Sequence, residues 1–197
     1  MSQYYYLVAS LPMLRPDGEP PMSVERFFAL CREHVSPEDM EVLDRAGLFP
    51  GSRQPANPQV LNEWYAWESA LRNDLVRLRA HELGLDQDLY LRETTGFIGE
   101  TAAVAREALA QGSPADTETA LFRARFAALE GLEVGHYFDL ERLVLYLLKL
   151  KLLIRRSAMT DENGRSRFGA VYEEITEPLR TQSGPAGAPG EETDTNR

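Results

Sequence analysis

A single cysteine, Cys31, excludes an internal disulfide, and its place in an apolar helical pattern marks it as a small buried hydrophobe of a reducing compartment. Histidine is almost as scarce. The three present, His34, His81 and His136, stand apart without cysteine or acidic partners at ligand spacing, which argues against a zinc-type centre. Long apolar runs are missing too: residues 4–9 and 143–148 fall far short of the roughly 20 residues needed to cross a bilayer. Positive charge is in deficit, with 21 basic against 31 acidic residues, and the net charge of −10 opposes attraction to nucleic acid or to an anionic membrane surface. Residues 1–12 lack the basic start and apolar stretch of a secretory signal. The expected location is the cytoplasm, with no nucleic-acid partner.

What is present is helical periodicity. Ser23 caps a run in which Phe27, Phe28, Cys31 and Val35 share a face, and Ser36-Pro37 opens a second carrying Met40, Leu43 and Ala46 before Gly47. Residues 49–58 read as a Pro/Gly/Asn linker. Between Pro58 and Gly84 the residues Val60, Leu61, Trp64, Trp67, Leu71, Leu75 and Leu78 recur mostly at helical intervals, and Gly84 is the stop signal. An alanine-rich segment, 100–110, follows Gly96 and Gly99 and offers little bulk for packing. Ser113, Pro114 and Asp116 form a capping signature for a helix carrying Leu121, Phe122, Phe126 and Leu129. Asp139 caps a Leu-rich helix over 140–159, and after a turn at 161–164 a last helix carries Phe168, Val171, Tyr172 and Ile175.

Residues 4–11 suit a short strand ending at Pro12, with 89–92 as the best candidate partner, and 15–22 is a proline-rich loop. The expected fold is mainly α, an antiparallel bundle of about six or seven helices with room for a short N-terminal strand. It occupies a single domain, 1–182, divisible into sub-modules 1–84 and 85–182, and ends in a disordered tail, 183–197, of Gly, Pro, Ser, Thr and acid.

No catalytic constellation emerges. Glu133 and His136 match the Glu-x-x-His of di-iron bundles, which use it twice with two further carboxylates; a single copy containing Gly135 beside the Asp139 cap reads as an interhelix turn. Asp161, Asn163 and Gly164 suggest a calcium loop, but the glycine falls at the fourth position instead of the sixth. There is no Gly-Lys-Ser/Thr phosphate loop and no Gly-x-Ser-x-Gly elbow. No metal or cofactor is expected, and an enzyme would have to build its pocket around Glu133, His136 and Asp139.

The Leu-rich helix is the most informative element. At 100° per residue, Leu143, Leu147, Leu150 and Ile154 lie on one line while Leu145, Leu148 and Leu152 lie nearly opposite. Such a helix is either the central strut of its own bundle or is covered on one side by a partner. Lys149 and Arg156 around the second stripe favour the partner, since an apolar strip with a polar rim resembles an interface. Arg72, Asn73, Arg77 and Arg79 cluster on the Trp-bearing helix, either as a solvated face or as a contact for an acidic partner. Tyr4, Tyr5 and Tyr6 expose at least one ring if extended. These residues, with Leu145, Leu148, Lys149, Leu152 and Arg156, are the candidate contacts.

Three segments together, Tyr4-Tyr-Tyr-Leu-Val-Ala-Ser-Leu-Pro12, Trp67-Glu-Ser-Ala-Leu-Arg-Asn-Asp-Leu-Val-Arg-Leu-Arg-Ala80 and Glu133-Val-Gly-His-Tyr-Phe-Asp139, resemble a bacterial family of unknown function encoded beside V-type ATPase subunits, over most of residues 3–178. The resemblance implies a soluble component of a V-type ATPase or ATP synthase with no catalytic residues to carry over. Residues 71–80 and 146–156 are also similar to helices of the C/d central-stalk subunit, which is longer and built of three helical modules. The implied role is non-catalytic coupling between the membrane rotor ring and the central stalk, peripheral to the inner membrane through protein partners only. An assembly or regulatory factor and a small uncharacterised enzyme are the alternatives. On the partner-covered reading, Leu148→Asp weakens association and leaves the fold helical.

Overall fold

Four of the described α-helices begin where a side chain offers the first free N–H groups an acceptor. The computed structural model describes residues 4–49, 58–93 and 99–159. Among the described residues there are seven α-helices: α1 (Tyr5–Ser10), α2 (Val24–Arg32), α3 (Pro37–Arg45), α4 (Gln59–Leu83), α5 (Thr101–Leu109), α6 (Pro114–Leu132) and α7 (Leu140–Ser157). The hydroxyls of Ser23, Ser36 and Ser113 accept from the N–H groups of Arg26, Asp39 and Asp116, and Asp139 Oδ1 accepts from Arg142 N at 3.0 Å. Proline stands at the first turn of α3 and α6, where no intrahelical donor is lost. α4 stops at Gly84, whose φ of +65° lets Leu85 N reach back to Ala80 O at 2.9 Å.

The expected N-terminal strand is corrected. Residues 5–10 are helical, with Val8 N on Tyr4 O at 2.9 Å and Leu7 buried. No strand occurs among the described residues, so an extended 4–11 would leave its ladder groups without a neighbour; a short helix satisfies them locally, and Pro12 follows its end. The supposed pairing segment, 89–92, forms no strand either: Leu89 ends a 3₁₀ turn, Gln87–Leu89, and Tyr90 closes it with its N–H on Gln87 O at 3.0 Å. Beyond it the Asn73 side chain serves Arg92 as a strand would: Oδ1 accepts from Arg92 N at 3.0 Å and Nδ2 donates to Arg92 O at 2.8 Å.

The seven described helices lie in the first of two units, Met1–Ser157 and Ala158–Arg197. Leu71 and Leu75 of α4 share a buried cluster with Ala105 and Ala108 of α5 and Leu121 of α6. The small alanines there are useful because they admit close approach of α5 to α4. The expected last helix, the turn at 161–164 and the tail 183–197 lie outside the described residues.

The main core is built around α7. From Leu143 to Leu153 every side chain except Lys151 is buried, so both leucine stripes are covered within the unit. α2, α3, α4 and α6 all pack on this helix. Phe27 of α2 stacks on Tyr146 at 5.6 Å, the Tyr146 hydroxyl donates to Pro12 O at 2.9 Å, and Lys151 Nζ reaches Ala46 O at 2.5 Å beyond α3. The partner-covered reading of Leu145, Leu148 and Leu152 is therefore corrected: each is at most 2% exposed, and α7 is the central strut. Among the described residues no helix is long and apolar enough to cross a membrane.

Candidate functional site

The basic residues proposed as contacts are mostly committed inside the chain. Lys149, with a side chain 6% exposed, lies 2.6 Å from Glu133 Oε1 and over the Phe126 ring. Arg156 donates to Pro16 O, and to Gly18 O at 2.6 Å, and sits over Phe122, tying the proline loop to the end of α7. Arg72 donates to Glu68 at 2.7 Å and stacks on Phe49 at 4.2 Å. Glu68 is fully buried between helices and also accepts two bonds from Arg125 of α6, at 2.9 and 3.1 Å. Arg77 pairs with Asp74 at 2.8 Å, Asn73 is buried on Arg92, and Arg79 is exposed. Arg72 and Arg77 are thus paired within α4, while Arg125 fastens α6 to it through Glu68.

The tyrosines divide differently. Tyr4 is buried, its N–H on Phe138 O and its hydroxyl on Asp39. That anchoring turns the next two rings outward, leaving Tyr5 55% and Tyr6 84% exposed. Tyr5 packs on Phe138 at 4.5 Å and meets Tyr6 edge-on at 5.7 Å. Tyr137, beside Phe138 in the chain, is 69% exposed, and Val134 is open as well. The result is an aromatic face where α1 meets the turn between α6 and α7.

The turn beneath it is held by charge. Glu133, at the end of α6, takes Arg142 at 2.6 Å on one side and Lys149 on the other; the Lys149 contact is an ion pair and not an aligned hydrogen bond. Gly135, with φ of +93°, reverses the chain. His136 Nδ1 lies 2.7 Å from Asp139 Oδ2, while the other Asp139 oxygen caps α7. Glu133 and His136 therefore point to different partners, and the Glu-x-x-His pair is parted by the turn.

Among the described residues, His136, Asp139 and Glu141 bring possible ligand atoms within 4.8 Å of one another. They sit at the positive end of α7, with Arg142 beside them, and both Asp139 oxygens already have partners. Comparison with known families, with curated proteins and with solved structures finds no match.

Sequence reasoning named Tyr5 and Tyr6 but not Tyr137, Phe138 or Val134. The signal available was local: two adjacent aromatics and a valine in a tight Gly-containing turn cannot all find cover. Leu83, Leu85, Leu89 and Tyr90 form a further exposed apolar set where α4 ends.

Proposed function

We propose that this chain is a non-catalytic component of a larger protein assembly and that its aromatic face is a docking surface. The observation that carries this reading is the group formed by Tyr5, Tyr6 and Phe138, with ring contacts at 4.5 and 5.7 Å, held on a frame whose central helix is buried along most of its length. Together with Tyr137, the rings present on the order of several hundred Å² of apolar surface, at the upper end of what a monomer leaves open. Side chains that are fixed before binding lose little freedom on contact, which suits a mechanical or scaffolding role.

The resemblance to a family encoded with V-type ATPase subunits supplies the assembly: a bacterial V-type ATPase or ATP synthase. In that setting the chain acts as a C/d-like coupling between rotor ring and central stalk, cytoplasmic and peripheral to the membrane through its protein partners. Purification of the intact rotary complex tests this. The chain should be present at fixed stoichiometry, and Tyr6→Ala combined with Tyr137→Ala should deplete it. Presence only on incomplete complexes would make it an assembly factor; absence from both would sink the assignment.

A further inference from the structure

We propose that the aromatic face takes a basic amphipathic segment of a partner protein, whose aliphatic side chains pack on Tyr5, Tyr6 and Tyr137 while its Lys and Arg residues answer the carboxylates at the rim. This rests on the assembly reading for there being a partner, and it adds that partner's chemistry. The charge distribution makes the choice. The two cations that hold the turn beneath the face, Arg142 and Lys149, are both turned onto Glu133, 2.6 Å away in each case, and are spent within the chain. Of the carboxylates around the face, Asp39 accepts from the Tyr4 hydroxyl and Asp139 from Arg142 N with His136 Nδ1 at 2.7 Å, contacts that leave their charge facing partly open surface, and Glu141 follows at the start of α7, also partly open to solvent.

An aromatic ring face carries negative electrostatic potential, so tyrosines within a carboxylate rim attract ammonium and guanidinium groups while their carbon surface takes up aliphatic stems. The same rim repels an anionic lipid headgroup. It also repels its own image: a second copy would set one acidic rim against another, between chains each carrying a net charge of −10. A cationic protein segment satisfies both the apolar rings and the carboxylates.

The test uses the full chain and a fluorescent helical peptide bearing leucines on one face and lysines on the other, with a glutamate-for-lysine peptide as control. Tyr6→Ala and Tyr137→Ala come from separate elements and are both highly exposed, so each is expected to keep the helical spectrum and to weaken lysine-peptide binding about tenfold or more. Glu141→Gln should weaken it a few-fold and flatten its salt dependence. Glu118→Gln, on α6 about 20 Å along the helix from the turn, should change nothing. Equal losses from Glu118→Gln and Glu141→Gln with silent tyrosine variants would overturn the proposal, leaving attraction by bulk charge. Binding of the glutamate peptide as tight as the lysine peptide would also overturn it. So would tyrosine-dependent binding to phosphatidylserine vesicles, or tyrosine-dependent dimerisation in sedimentation, in place of peptide binding. Absence from the rotary complex would remove the assembly named above but leave these peptide outcomes intact, so the two failures are separable.

Discussion

Lys149 Nζ lies 2.6 Å from Glu133 Oε1, joining the middle of the buried strut helix to the end of α6. The pair spans the turn that carries Tyr137 and Phe138, so the stability of the frame and the pose of the aromatic face are linked. Removing one member leaves the other charge poorly compensated. Glu133→Ala is expected to cost about 3–5 kcal/mol, whereas Lys149→Met, which also releases the lysine's desolvation cost and leaves Glu133 its Arg142 partner, should be close to neutral. Urea unfolding of both variants and of the double variant measures the difference; equal costs for the two single changes would show that the asymmetry is wrong.

Glu68 makes a second buried junction, between α4 and α6. It is fully buried and holds Arg72 and Arg125, whose side chains are 30% and 11% exposed. Glu68→Ala strands Arg125 in a nearly closed site and is expected to destabilise by about 3–5 kcal/mol. Arg72→Ala should cost under about 1 kcal/mol in its ion pair because water already reaches that guanidinium, plus what its stacking on Phe49 contributes. Thermal unfolding of the two variants separates these.

Leu148 is fully buried in α7. The expectation that Leu148→Asp weakens partner binding in an intact fold is therefore replaced: a carboxylate in that apolar environment should cost more than about 4 kcal/mol and unfold much of the protein. Circular dichroism decides it, since a folded Leu148→Asp variant with native stability is incompatible with the strut role.

Alkaline pH probes the same core. Burial raises the Cys31 thiol from its ordinary 9.0 to about 12 and the Tyr146 hydroxyl from 10.0 to about 12. In both cases the unfolded chain releases its proton first, so the folded state binds more protons and stability falls as pH rises, from about 9 for Cys31 and about 10 for Tyr146. Lys151 works the other way: burial lowers its pKa, against a smaller opposing effect of Asp44, so its penalty fades as pH rises towards 10.5. Chemical denaturation at pH 8 to 10 should show a shallower loss with pH for Cys31→Ala than for the parent. Parallel slopes would mean that the thiol titrates alike in both states.

The caps at Ser23, Ser36, Ser113 and Asp139 and the stop at Gly84 were legible because each depends on a few neighbouring residues. The same holds for the turn at Gly135. The short helix α1 was not: Tyr and Val favour strands, and only the absence of a neighbouring strand among the described residues, with Tyr4 anchored on Phe138 and Asp39, makes the local helix the better solution.

Sequence by itself determined that α7 is apolar on two opposite faces and that three tyrosines in a row demand some exposure. Tertiary structure alone decided that both α7 faces are covered from within, that Arg72 of α4 shares the buried Glu68 with Arg125 of α6, and that Tyr5 meets Tyr6 and Phe138 at the surface. The physical reason is range. Helix formation and capping are settled within a turn or two of the chain, whereas burial and pairing depend on which distant segments arrive, as Glu68 finds Arg125 across 57 residues.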